Sequence, residues 1–102
     1  MPDLARPRAR VSRDILELIP TYLDARRDDV ARARAGLDAD HLSLVTRIGH
    51  RMKGSGASYG FPDISQIGAG LEAAGRAGDL HDCERWLNSL ARYIDTVEVV
   101  PG

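Results

Sequence analysis

The sequence predicts an all-α protein, an antiparallel up-and-down four-helix bundle with a short extra helix at the N-terminal end. Apolar residues recur at spacings of three and four along most of the chain, as they do on one face of a helix. Aromatic residues make up only 5% of a chain that is 43% hydrophobic, so the core must consist of aliphatic side chains and alanine. A chain of 102 residues has the size of one small domain.

Composition excludes several classes of protein. The formal net charge of −1 gives no reason to expect non-specific attraction to nucleic acid or to a membrane surface. No apolar stretch approaches the ~20 residues that span a bilayer, and the N-terminus lacks the apolar centre of a signal peptide. The one cysteine, Cys83, cannot form a disulfide within the chain. We therefore expect a cytoplasmic protein.

The N-terminal segment shows no apolar period. It contains two prolines and three arginines in its first ten residues. We predict that residues 1–10 form a flexible arm and that residues 11–100 form the bundle. Ser12 is placed to cap a short helix over Arg13–Ile19, which contains apolar residues at helical spacing.

The first two long helices are separated by a short polar turn. We predict the first from Pro20 to about Leu37, because proline suits the first turn of a helix. Asp40 is a candidate N-cap for the second. Closely spaced glycines should end the second helix before Gly60, since each weakens a helix by up to ~1 kcal/mol relative to alanine. Its apolar positions are Leu42, Val45, Ile48, Gly49 and Met52.

The last two helices have the clearest apolar faces. The third should open at Phe61-Pro62-Asp63, and the fourth should follow the N-cap Asp79. Glycines in the third helix would permit a neighbouring helix to approach closely, and the fourth carries the apolar seam of a packed helical hairpin. The glycines are Gly68, Gly70 and Gly75, and the seam comprises Leu80, Cys83, Leu87, Leu90, Ile94 and Val97.

His50 lies on the polar side of the second long helix, roughly 150° from the centre of the apolar stripe at about 100° per residue. Lys53 and Gly54 follow three and four residues later, so both are its neighbours on the helix surface. An exposed imidazole with an ordinary pKa of about 6.5 is mostly neutral at pH 7, and the neutral ring is the nucleophile. Lys53 could neutralise a phosphoryl group, and Gly54 leaves room for a partner's active site.

Glu72 flanks the core face of the third long helix and could reach across the helix pair to His50. A carboxylate there would hold the proton on one ring nitrogen, which leaves the other nitrogen free to attack. It would also stabilise the positive charge that develops on the ring. An ordinary ion pair between Glu72 and a nearby lysine or arginine is an alternative of equal weight.

The segment His50-Arg51-Met52-Lys53-Gly54, followed by Gly60, resembles the motif of histidine-containing phosphotransfer (Hpt) domains of two-component phosphorelays. The surroundings agree, because Tyr22-Leu23 and Arg26 precede the motif and Leu71-Glu72 follows it. The resemblance covers roughly residues 15–98. It implies a four-helix bundle that accepts a phosphoryl group from the aspartate of a receiver domain and gives it to one.

Roles for single residues come with this resemblance. It implies that His50 is the phosphoacceptor and that Lys53, Gly54 and Gly60 occupy the motif's supporting positions. Glu72 matches a position that is glutamine in some members of the family and glutamate in others. The exchange face should combine an apolar collar with cations at its rim. Met52 or Ala57 would form the collar, and Arg47 and Lys53 would lie at the rim.

The resemblance also implies a stand-alone phosphocarrier rather than an enzyme, because the sequence contains no ATP-binding kinase domain. The partner would then supply most of the catalysis of transfer. The expected partners are a response-regulator receiver domain, a hybrid sensor histidine kinase, or both, and we expect a monomer. No intrinsic metal or organic cofactor is expected, and any Mg²⁺ would be held by the acidic pocket of the receiver.

Two other hypotheses are open. The chain could be a helical docking module that binds a receiver or a kinase through the same face without carrying phosphate. A weaker hypothesis is nucleic-acid binding through the arginines, although acidic residues are interleaved with them. A zinc site is disfavoured because its candidate ligands have no recognisable spacing. These candidates are His41, His50, His81 and Cys83, of which we interpret His41 and His81 as solvated and Cys83 as a core residue.

Overall fold

Four α-helices and a two-stranded sheet make up the computed structural model, which describes residues 6–102. The elements are β1 (Arg8–Val11), α1 (Ile19–Asp38), α2 (Leu42–Ser55), α3 (Pro62–Ala77), α4 (Leu80–Thr96) and β2 (Glu98–Pro101). A 3₁₀ helix precedes α1 and another follows α2, at Arg13–Leu18 and Ala57–Tyr59. The predicted all-α bundle with a short N-terminal helix is confirmed, and α2 ends before Gly60 as expected.

The small sheet is the main departure from the sequence-based prediction. β1 and β2 pair in parallel, with Arg8 opposite Glu98. Ala9 and Val11 of β1 are buried in the core, whereas their charged neighbours face solvent. The prediction of a flexible arm is therefore wrong at positions 8–10, because an apolar strand at the far end of the chain supplies the partner. Residues 1–5 of the predicted arm lie outside the described residues.

Two of the three predicted N-caps are confirmed. The hydroxyl of Ser12 accepts a backbone N–H two residues on at 3.3 Å, and the carboxylate of Asp79 accepts one three residues on at 3.0 Å. Asp40 does not cap α2, whose N-cap residue is His41. Asp40 instead adopts a φ of 57° in the turn between α1 and α2, a conformation that aspartate tolerates better than most residues.

The core lies between the four helices and extends under β1. On α4, the predicted seam is buried from Cys83 to Ile94. Leu80 is 46% exposed, so its assignment to the seam is wrong. It is the first residue of α4, and the first buried residue of that helix is Cys83. An aromatic cluster closes one side of the core, where Tyr22 stacks on Tyr59 at 4.2 Å between ring centroids.

Glycines bring α2 and α3 into close contact. A Cβ added to Gly49 of α2 would lie 2.6 Å from the backbone nitrogen of Glu72. A Cβ added to Gly68 of α3 would lie 2.5 Å from the backbone nitrogen of Lys53. Neither distance is possible for a real side chain, so the crossing depends on the absence of Cβ atoms. The prediction that glycine permits close helix approach is therefore confirmed at Gly68.

Candidate functional site

His50 projects from the solvent-facing side of α2, and its side chain is 63% exposed. The opposite side of the same helix is buried against α1 and α3 through the predicted apolar stripe. The predicted position of His50 on the polar face is therefore confirmed. His41 and His81 are also exposed, and Cys83 is buried, as the sequence indicated.

The His50 ring is held from one side by α3. Its Nδ1 lies 2.8 Å from Oε2 of Glu72. The hydrogen bond from Lys53 lowers the pKa of the Glu72 carboxyl despite its burial, and His50 and Arg76 act in the same direction. Glu72 is therefore ionised at neutral pH and can only accept, so Nδ1 carries the proton and donates. In the neutral ring this leaves the lone pair on Nε2, the nitrogen on the other side of the ring from the hydrogen bond to Glu72.

Glu72 is only 3% exposed, and both of its carboxylate oxygens have cationic partners. The Lys53 ammonium donates to Oε1 at 2.7 Å, and the Arg76 guanidinium forms an ion pair with Oε2 at 2.9 Å. A buried carboxylate needs such partners, because removing an ionised group from water without a partner costs free energy. The two sequence-based interpretations of Glu72, ring orientation and ion pairing, thus describe the same carboxylate.

The surface next to His50 is open toward solvent. A Cβ added to Gly54 would meet no atom within 4 Å, so one turn beyond His50 the helix presents bare backbone. Arg47, Lys53 and Ala57 are exposed in the same region. Met52 is only 1% exposed, so the prediction that it forms part of an apolar collar is wrong. Its spacing places it in the apolar stripe of α2, on the side away from His50.

Arg76 is the site residue that sequence reasoning missed. It lies four residues after Glu72 on α3, a spacing that places the two side chains together on a helix surface. That spacing was a usable signal, but a surface pair of this kind is common and gives no sign that its acid also contacts a histidine.

Neither a metal site nor a membrane span is found in the part of the chain that the structure describes. Within residues 6–102, no group of three or more histidine, cysteine, aspartate or glutamate side chains is arranged to hold a metal ion. None of the helices in that range combines the length and hydropathy needed to cross a membrane.

Comparison with known proteins identifies the family. No curated protein and no solved structure matches the chain. In a scan against protein-family models, the one described as Hpt domain matches residues 17–99, which is most of the chain. The matched range contains all four helices in full, and it contains both His50 and Glu72. The chain therefore belongs to the Hpt domain family, whose members are phosphocarrier modules of phosphorelays.

Proposed function

We propose that this protein carries a phosphoryl group on His50, receiving it from the aspartate of one receiver domain and passing it to another. Family membership supplies the class of reaction. The observation that supports this residue is the 2.8 Å hydrogen bond between Nδ1 and Glu72 on a ring that is otherwise exposed. Within residues 6–102, neither His41 nor His81 has a carboxylate partner of this kind.

In the proposed transfer, Nε2 of His50 attacks the phosphorus of an aspartyl phosphate. The N–P bond forms as the P–O bond breaks, and the receiver's aspartate leaves as a carboxylate with the electron pair. The proton on Nδ1 stays in place, donated to Glu72. Because the ring gains positive charge during attack, the hydrogen bond that Nδ1 donates to the carboxylate strengthens and stabilises the product side of the step. Transfer to a second receiver is the same step in reverse.

Lys53 and Gly54 support this step in different ways. The Lys53 ammonium is bonded to Glu72, yet its side chain is 44% exposed, so its flexible stem can bring charge to the phosphoryl oxygens. Gly54 leaves the space through which a receiver's acidic pocket reaches Nε2. We expect that pocket, rather than this chain, to hold Mg²⁺ and to supply most of the catalysis. The receiver belongs to a response regulator or to a hybrid sensor histidine kinase.

Substitution of His50 by glutamine tests the proposal. Incubation with a phosphorylated receiver should place acid-labile phosphate on the wild type and none on His50→Gln. His81→Gln is the matched control, because it removes an exposed histidine that lacks a carboxylate partner. Circular dichroism should show the same helix content for all three proteins, since His50 does not contribute to the core.

Two outcomes would contradict the proposal. Full labelling of folded His50→Gln would show that another residue accepts the phosphoryl group. Binding of the receiver with no label on the wild type, and the same affinity for His50→Gln, would favour the docking module that carries no phosphate.

A further inference from the structure

Arg76 and His50 contact the same carboxylate oxygen. The Nη2 atom of Arg76 lies 2.9 Å from Oε2 of Glu72, and Nδ1 of His50 lies 2.8 Å from that atom. Lys53 contacts the other oxygen. The side chain of Arg76 is mostly exposed and starts one turn further along α3, so it reaches back over the buried carboxylate.

We propose that Arg76 is a positioning residue for the phosphoacceptor, which acts on the His50 ring only through Glu72. By pairing with Oε2 it holds the carboxylate in the orientation that accepts Nδ1–H, and it offsets the negative charge that would otherwise favour a second ring proton. The biological meaning of this inference rests on the proposed phosphocarrier function, although the geometry does not.

The physical reason lies in two opposing demands on Glu72. An ionised carboxylate beside an imidazole fixes the tautomer, but it also favours the doubly protonated ring. An imidazolium has no lone pair on Nε2 and cannot attack phosphorus. Because Lys53 and Arg76 both form ion pairs with the Glu72 carboxylate, the summed charge of the three side chains is no longer negative. Glu72 can then orient the ring without leaving a net negative charge beside it.

Other charges near the ring do not replace Glu72. The titratable neighbours of His50 on α2 are cationic, so none of them supplies the negative charge of Glu72. Asp29 of α1 is paired with Arg26 and interacts electrostatically with Arg51 of α2. On α2 the titratable side chains within one turn of His50 are Arg47, Arg51 and Lys53.

Titration of the His50 ring, followed by nitrogen-15 NMR of the unphosphorylated protein, tests this inference. In Arg76→Gln the midpoint of the titration should move up by about half a pH unit, the size expected when one partly exposed charge is removed. Arg76→Lys should restore most of the wild-type midpoint because it restores the charge. Arg85→Gln is the matched control, since Arg85 is equally exposed and pairs with Asp82 on α4.

A double-mutant cycle shows whether Arg76 acts through Glu72. In Glu72→Gln the side-chain carbonyl can still accept Nδ1–H, but there is no charge left to offset. Arg76→Gln should therefore change neither the ring titration nor the pH dependence of phosphotransfer in that background. A midpoint that Arg76→Gln does not move in the protein with native Glu72, or that it moves equally with native Glu72 and with Glu72→Gln, would overturn the inference. If Glu72→Gln does not fold, failure of Arg76→Lys to restore the midpoint overturns it instead.

The titration requires no partner, so the two proposals can fail separately. A wild-type protein that takes no phosphoryl label, combined with the predicted shift in Arg76→Gln, would contradict the phosphocarrier function alone. Normal labelling of the wild type with an unmoved midpoint in Arg76→Gln would contradict the role of Arg76 alone.

Discussion

At the scale of single residues, the site consists of an exposed ring and a buried acid on neighbouring helices. Glu72 is almost fully buried, yet its carboxylate accepts hydrogen bonds from His50 and Lys53 and forms an ion pair with Arg76. The His50 ring is oriented by Glu72 through Nδ1 and is otherwise exposed to solvent, so another protein can reach it. The open side is as important as the oriented one, because in the proposed transfer a receiver brings its aspartate to bonding distance of Nε2.

Gly54 is the residue on which that access depends most directly. Gly54→Leu should slow transfer from a phosphorylated receiver roughly 100-fold, the loss expected when reacting atoms are held about 1 Å too far apart. The fold should be retained or strengthened, because the added side chain meets open space and leucine favours helix over glycine. Transfer rates and melting temperatures check both parts. A folded variant that transfers at the wild-type rate would show that this surface is not approached.

At the scale of elements, the crossing of α2 and α3 brings the site together. Lys53 and Glu72 are residues whose backbone nitrogens lie against the glycines of the opposite helix. A wider crossing would separate the ring from its carboxylate. The same glycines that weaken each helix in isolation therefore allow the hydrogen bond between Nδ1 and Glu72.

A matched pair of substitutions separates the two effects of glycine. Gly68→Ala should destabilise the protein by about 1–3 kcal/mol, since the added methyl overlaps the backbone of α2. Gly54→Ala introduces the same methyl where nothing lies within 4 Å, and it should stabilise the protein by up to about 1 kcal/mol. Urea unfolding measures both values. Equal changes in the two variants would contradict the close crossing.

At the scale of the whole molecule, stability at high pH should report on the packing of α4. Tyr93 is 7% exposed and meets the ring of Phe61 edge-on. Burial, with smaller contributions from Asp63 and Tyr22, raises the pKa of Tyr93 to about 12. The ordinary value is about 10, so between pH 10 and 12 the unfolded chain loses this proton before the folded protein does.

The raised pKa of Tyr93 thus predicts a loss of stability at alkaline pH. Its contribution is fully present below pH ~10 and is lost as pH rises toward ~12, by about 2–3 kcal/mol in total. Tyr93→Phe lacks the titrating hydroxyl, so its unfolding free energy should fall less steeply over that interval. Parallel pH profiles for wild type and Tyr93→Phe would contradict the burial of this hydroxyl.

Local sequence patterns were enough to predict the bundle and most of the site. Helical spacing placed His50 opposite the apolar stripe of α2, and it placed Glu72 on the flank of α3. Pairing of β1 with β2 could not be predicted, because it joins strands about ninety residues apart and neither shows a long alternating pattern. Arg76 was missed for a related reason, since the oxygen it shares with His50 is defined only when α2 and α3 are packed together.

The position of the phosphoryl group on the histidine ring tests the central claim most directly. Phosphorus and nitrogen-15 NMR of the phosphorylated protein can identify the nitrogen bonded to phosphorus. We predict Nε2 of His50, with a proton retained on Nδ1 and donated to Glu72. Phosphorus bonded to Nδ1, or to a histidine other than His50, would contradict this account.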